Sequence, residues 1–426
     1  MQYPESANQQ QLESLASELM SAYQRLKTEK LSLDITRGKP AAEQISIANK
    51  LDGILNQEFV SESGVDTRNY GTPRGLPEMQ KLGGEILDCP PENVIAAGNS
   101  SLMMMFFTAL MHSTKGTGTN GSEWQSLSSP KFICPVPGYD RHFTICEHFG
   151  TQMVNVPMLD TGPDMDKVEQ MIENDDQIIG IWCVPKYSNP TGVIYSDETV
   201  ERIAKLGNIA NANFRVFWDN AYAVHDLSNE PKPLASLWDY ANKHGTEDSL
   251  WMFASSSKIT FAGAGVSWVA SSEKNLKLLS AQLGVATIGF DKVNQLRHAK
   301  LFPDLNALRE QMQSHAGIVR PKFSAVLEAL GTQLPGWGRW TEADGGYFIS
   351  FDTHPGLAKK VVRLAADAGV KLTPAGATFP YGKDPEDTNI RIAPTFPSIE
   401  DVEKAMEVFC VCVKLATVEK LISAAK

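Results

Sequence analysis

The amino-acid sequence predicts an α/β protein with a large domain on a seven-stranded, mostly parallel sheet and a smaller α+β domain. Three observations carry this reading. The chain has 426 residues, more than one hydrophobic core usually serves, so two packed domains are expected. Seven short apolar runs separated by helical stretches fill the middle of the chain. Those runs are continuously apolar rather than alternating, as strands buried on both faces by helices must be.

The elements follow in order. Residues 9–29 set Leu12, Leu15, Leu19, Tyr23 and Leu26 at three- and four-residue intervals, one face of an amphipathic packing helix. The seven runs are VIAAG, KFICPVP, QMVNVPM, IIGIWCVP, FRVFWD, LWMFASS and VSWVASS, beginning at residues 94, 131, 152, 178, 214, 250 and 266. Between the first two, residues 113–130 are dominated by Gly, Ser and Thr and predict a surface loop or flexible insertion. After residue 305 come helical patterns, GGYFISF as a strand, VVRLAADAG as a helix, TNIRIAP as a strand and a last helix from Ser398. The expected division is an N-terminal segment 1–50 packing with the small domain, a large domain 51–304 and a small domain 305–426.

A net charge of −11, with no run of Lys and Arg longer than a pair, argues against nucleic acid or an anionic membrane as partner and for a small molecule. The N-terminus lacks a basic stretch followed by an apolar core, and no window of about 18 apolar residues occurs, so a cytoplasmic protein is expected. Cys89, Cys134, Cys146, Cys183, Cys410 and Cys412 form no C-x-x-C pair, which predicts reduced thiols. The eight histidines show no chelating spacing, and no metal is expected.

In open α/β sheets ligands bind beyond the carboxyl ends of the strands, and four of those endings are chemically unusual. Asn99, Ser100 and Ser101 follow VIAAG and precede an apolar helix, which offers backbone N–H groups and hydroxyls to an anion. Asn189-Pro190-Thr191-Gly192 follows IIGIWCVP, Asp219-Asn220-Ala221-Tyr222 ends FRVFW, and Ser255-Ser256-Ser257-Lys258 ends LWMFA. Taken singly, each has an ordinary reading as an N-cap, a turn or a surface lysine. Together they bring one amine, one carboxylate, one amide, one phenol and two serine clusters to the ends of one sheet. That set matches a pyridoxal cofactor, whose aldehyde needs a lysine, whose pyridine nitrogen needs an acid and whose phosphate needs donors.

The segments PVPGYD, YSNPTG, DNAY and SSSK, in this order, resemble those of the class I, fold-type I pyridoxal-phosphate aminotransferases. DITRGKP, NYGTPRGLPEM, GGYFISF, GVKLTPAGATF and NIRIAP extend the resemblance from about residue 33 to residue 400. DITRGKP, PGYDRHF and SSSKITFAGAG are similar to a bacterial aspartate aminotransferase subgroup. The resemblance implies that Lys258 is the Schiff-base lysine and proton shuttle, and that Asp219 faces the pyridine nitrogen of pyridoxal 5'-phosphate. It implies that Asn189 and Tyr222 bond the phenolic oxygen, that Tyr139 stacks on the ring, and that Asn99, Ser100, Ser101 and Ser255 hold the phosphate. Tyr70 would reach the phosphate of a partner subunit, which implies a homodimer with shared sites.

On the substrate side, Arg391 matches the clamp on the α-carboxylate and Gly38 a glycine lining the pocket. Aspartate needs a second cation for its side chain, and Arg37, Arg141 and Arg297 are the candidates. Where the family usually has an arginine on the phosphate, this chain has Gly265. The implied reaction is ping-pong transfer of the amino group of aspartate to 2-oxoglutarate, giving oxaloacetate and glutamate. The same core residues serve aminotransferases for aromatic or other amino acids and β-lyases. A pyridoxal-binding regulator would carry a basic winged helix domain in front, and only about 30 residues precede DITRGKP.

Overall fold

The computed structural model describes residues 3–4, 7–119 and 121–425; residues 1, 2, 5 and 6 of the expected N-terminal segment, residue 120 of the expected loop and residue 426 of the expected small domain lie outside them. The seven apolar runs form strands β2 (Val94–Ala96), β3 (Lys131–Val136), β4 (Gln152–Leu159), β6 (Ile178–Cys183), β7 (Arg215–Asp219), β8 (Leu250–Ser255) and β9 (Ser267–Ala270). A two-residue strand β5 (Gly162–Pro163), too short to show as an apolar run, adds an eighth at the edge. The order is β2-β9-β8-β7-β6-β3-β4-β5. Strands β8, β7, β6, β3 and β4 pair in parallel, whereas β9 runs against β8 and β2.

Both faces of this sheet are covered over β2, β3, β6, β7, β8 and β9, which is why those strands do not alternate, whereas β4, beside the two-residue edge strand, mixes buried and exposed positions. Within β8, Trp251 and Phe253 join an aromatic core under helices Ser101–Lys115 and Glu273–Ala286, while Met252 and Ala254 join a second core on the other face with helices Pro77–Leu87 and Asp197–Ile209. Among the described residues the expected loop 113–130 is mostly turns and bends, with one buried anchor. Helix Ser101–Lys115 runs into it, and Trp124 is buried, stacked on His112 at 4.9 Å, with its Nε1–H donating to the Asn213 carbonyl at 3.0 Å. Asn213 precedes β7, so this segment docks at the amino edge of the sheet, away from Asp219 at the other end of that strand.

A separate core holds Leu12, Leu19, Tyr23 and Leu26 of helix Gln9–Thr28 against Val402, Phe409 and Val413 of helix Ile399–Ala424. The first helix starts at a capping box in which Asn8 and Gln11 satisfy each other's backbone N–H groups. Around this core lie the antiparallel sheet of β10 (Gly338–Trp340), β11 (Ile349–Thr353) and β13 (Asn389–Ile392), and the parallel pair of β1 (Leu33–Asp34) with β12 (Val370–Lys371). Helix Leu305–Gln333 links the two regions, with Leu308 and Met312 in the sheet's core and Val319, Phe323 and Val326 in the smaller one. The smaller region thereby sets Arg391 of β13 over the carboxyl ends of the large sheet.

Candidate active site

The carboxyl ends of β2, β3, β6, β7 and β8 open into a cavity of about 530 Å³. It is lined by Lys258, Asp219, Tyr222, Asn189, Tyr139, Ser100, Ser101, Ser255, Gly38, Arg37, Arg141 and Arg391, among others. Sequence positions 37 and 391 thus meet positions 100 to 258 in one space.

Asp219 ends β7 and is 2% exposed. Its Oδ2 lies 2.9 Å from His142 Nε2, whereas Oδ1 has no hydrogen-bond partner among the described residues. His142, in the first turn of helix Asp140–His148, stacks on Trp182 of β6 with centroids 4.3 Å apart and planes at 8°, and meets Tyr139 edge-on at 5.0 Å. The acid is therefore fixed from one side while its second oxygen is free to accept. Burial with one acceptor unmet is costly.

Lys258 follows β8, its ammonium 5.1 Å from the ring centroid of Tyr222 and 6.0 Å from that of Tyr347. Desolvation by the surrounding protein lowers its pKa, and the negative charge of Asp219 opposes this only in part. The Tyr222 hydroxyl is pushed well up, chiefly by burial and then by Tyr139 and Asp219, so it stays protonated. Burial likewise raises the Tyr139 hydroxyl.

The serines form one cluster. Ser255 Oγ donates to Ser257 Oγ at 3.0 Å, and Ser257 Oγ donates to the Asn99 carbonyl at 3.0 Å. Ser100 is the N-cap of helix Ser101–Lys115, but its side chain makes no capping bond, so that hydroxyl and the helix's first N–H groups are available to an anion. Gly265 has a local cause: a Cβ there would come within 2.8 Å of Ser256 Oγ, which accepts from the Val266 N–H.

Arg391, in the middle of β13, is 7% exposed. Nη1 donates to Asn189 Oδ1 at 3.3 Å, Nε to Thr373 Oγ1 at 3.3 Å and Nη2 to the Thr36 carbonyl at 3.5 Å. Its guanidinium lies over the Phe348 ring, 4.7 Å from the centroid, and a Cβ on Gly38 would stand 2.4 Å from Phe348 Cζ. Gly38 thus lets the chain pass close to the ring under the arginine. Arg37 and Arg141 line the same cavity and form no ion pair among the described residues.

Two candidates lie elsewhere. Arg297 lines a different cavity, with Asn49, Asp52 and Asn294. Tyr70 is 81% exposed and does not line the site. Sequence reasoning missed His142, Asp140, Trp182, Phe348, Tyr347 and Thr373. His142 had one readable signal: it lies three residues after Tyr139, so in a helix starting there it returns toward the strand ends. Among the described residues no group of His, Cys, Asp and Glu is arranged to hold a metal ion, and no helix is long and apolar enough to cross a membrane.

Pyridoxal phosphate fits these residues. The unmet Asp219 Oδ1 is placed to accept from a protonated ring nitrogen, Lys258 is an amine of lowered pKa, and the serine cluster with a helix terminus can take the phosphate.

A sequence model of the family described as Aspartate amino-transferase matches residues 7–425. A Mycolicibacterium smegmatis relative is 45% identical over 405 residues, 94% of each chain. The aspartate aminotransferase of Corynebacterium glutamicum is 42% identical over 400 residues, 93% of this chain and 92% of that one. The crystal structure of an aspartate transaminase from C. glutamicum superimposes with a TM-score of 0.93 at 40% identity, covering 97% of this chain and 99% of that one. A match along nearly the whole length, with relatives above 40% identity, means that the chain belongs to the aspartate amino-transferase family and is an aminotransferase.

Proposed function

We propose that this aminotransferase binds pyridoxal phosphate through Lys258 and transfers the amino group of aspartate to 2-oxoglutarate, with oxaloacetate and glutamate as products. The observation that carries the proposal is the buried, unpartnered Oδ1 of Asp219 in the same cavity as Lys258 and Arg391. The identity to the C. glutamicum enzyme supports the choice of aspartate.

When bound, the cofactor supplies an aldehyde that condenses with amines and a ring that draws electrons from the substrate's Cα. The chain's own residues supply the rest. Lys258, with its amine pKa lowered by burial, is nucleophilic when deprotonated and can take the proton from Cα and return it. Asp219, oriented by His142, would accept from the ring nitrogen through Oδ1. Tyr222, protonated, and the amide of Asn189 would donate to the ring oxygen, and Tyr139 would hold the ring. Ser100, Ser101, Ser255 and the backbone at Asn99 would hold the phosphate with neutral donors and a helix terminus.

Arg391 takes the α-carboxylate with its fork of donors, beside Gly38. Arg37 and Arg141, which share the cavity, are assigned to the side-chain carboxylate, and Arg297, in another cavity, is not. The exposed Tyr70 is assigned to the phosphate of a second subunit in a homodimer. Six unpaired cysteines fit a reducing, cytoplasmic setting.

The test is a near-ultraviolet and visible spectrum of the protein with pyridoxal phosphate, before and after aspartate, beside Lys258→Ala. The wild type should show the band of lysine-bound cofactor, aspartate should convert it to the pyridoxamine form, and the variant should lack it. A band indifferent to aspartate would remove the substrate assignment, and no band would remove the cofactor site.

A further inference from the structure

We infer that Asp140 is a built-in competitor for the substrate's α-carboxylate, neutralising Arg391 until substrate displaces it. The inference rests on the reading of Arg391 as the carboxylate clamp and adds a residue that controls how tightly the clamp closes.

Arg391 Nη1 lies 3.5 Å from Asp140 Oδ1, with side-chain exposures of 8% and 36%. The other acceptors around the guanidinium, Asn189 Oδ1, Thr373 Oγ1 and the Thr36 carbonyl, are neutral. Among the described residues Asp140 is the one carboxylate within ion-pair distance of Arg391. A guanidinium so little exposed is costly to leave without an anion, and Asp140 supplies one from inside the cavity that it also lines.

The geometry points to a contact made to be exchanged. A committed arginine–carboxylate pair is bidentate, at roughly 2.7–2.9 Å; here a single nitrogen faces a single oxygen at a longer distance. Asp140 keeps more than a third of its side chain exposed, so it can turn toward water without burying an unpaired charge. An incoming α-carboxylate can make two parallel bonds and thereby replaces a looser anion of the same sign. The net charge around Arg391 is then the same before and after binding. Compounds without the α-carboxylate cannot make this exchange.

Asp140 is also the first residue of helix Asp140–His148, where an acidic side chain suits the helix dipole. That ordinary role predicts a change in stability and none in ligand saturation, so the two are separable.

The experiment uses the cofactor-loaded protein and two ligands that lack a Cα proton, 2-methylalanine and 2-methylaspartate, with binding read from the cofactor's absorbance. They share the α-amino and α-carboxylate groups and differ in the side chain. Asp140→Asn and, as a second variant, Asp140→Ser should each tighten both ligands by the same factor, about fivefold, the size expected on removing a partly exposed ion pair. Stopped-flow half-reactions with aspartate should show the change in half-saturation rather than in limiting rate. In an Arg391→Lys background the same substitutions should have much less effect. Unchanged binding, or a fall in melting temperature as the sole effect, would overturn the inference while leaving Arg391 as the clamp. If Arg391→Lys itself binds both ligands as wild type does, the clamp assignment falls, and this inference with it.

Discussion

Asparagine at position 219 keeps the shape of the side chain and removes its charge, and the structure predicts opposite signs for the protein with and without cofactor. With cofactor bound as proposed, Oδ1 would face the ring nitrogen in a site where the residue is 2% exposed. Removing one partner of a buried ion pair costs roughly 3–5 kcal/mol. If that loss falls on the transition state, at about 1.4 kcal/mol per decade, loss of the Cα proton should slow on the order of 10²- to 10⁴-fold. Without cofactor, Oδ1 is a buried acceptor with no partner, a burden of about 1–3 kcal/mol that asparagine redistributes without leaving a charge behind. Oδ2 would be replaced by a neutral acceptor for His142, which offsets part of the gain. Stripped Asp219→Asn should therefore melt at or above stripped wild type. Single-turnover absorbance gives the first quantity and thermal unfolding the second. A slowing below tenfold, or a stripped variant that melts several degrees lower, would show that Asp219 serves the fold rather than the ring.

Other perturbations test neighbouring parts of the argument. Lys258 has a lowered pKa in the folded chain, so the unfolded chain binds the extra proton from that lowered value up to the ordinary 10.5, and stability rises with pH across the interval. Cofactor-free Lys258→Met should melt above cofactor-free wild type at neutral pH, with the gap closing as pH approaches 10.5; a gap that widens would contradict the assigned burial. Arg37→Ala and Arg141→Ala should be compared by kcat/KM: one should reduce aspartate turnover about 100-fold, on the scale of a lost charge-assisted contact, while a neutral amino acid is spared, and Arg297→Ala should do neither. In Gly38→Ala the new Cβ would meet Phe348 Cζ at 2.4 Å. Relief by moving the ring disturbs the seat of Arg391, and an overpacking cost of about 1–3 kcal/mol, if it falls on substrate binding, should appear as a rise in KM of about five- to 150-fold.

The large sheet was legible because its strands are buried on both faces and end in residues that are costly to bury without a purpose. Asp219 closes a run of Val216, Phe217 and Trp218, and a carboxylate placed there invites an explanation from sequence alone. Strand β5 was not legible, since two residues carry no period. The burial of Trp124 within residues 113–130 was not legible, because the composition around it is polar. Within the site, strand-end residues were found and the residues that fix them were not. His142 and Asp140 belong to a helix whose sequence looks like a polar surface turn, and Phe348 looks like a core aromatic until Arg391 is placed over it. The approach of Asn189 to Arg391 spans 202 positions, which no local pattern encodes.

The stack that begins at Asp219 does not stop at His142. Trp182 lies 5.1 Å from Phe132, and Phe132 lies 5.7 Å from Trp124, so a file of aromatic rings runs from the acid along one face of the sheet to the amino ends of its strands. Interiors this dense transmit small changes in volume. A substitution chosen to fill a gap at Phe132 or Trp182, far from any ligand, therefore also resets the tilt of an imidazole and the aim of a carboxylate. Along this file heat tolerance and reactivity are not separate traits, and selection for one acts on the other.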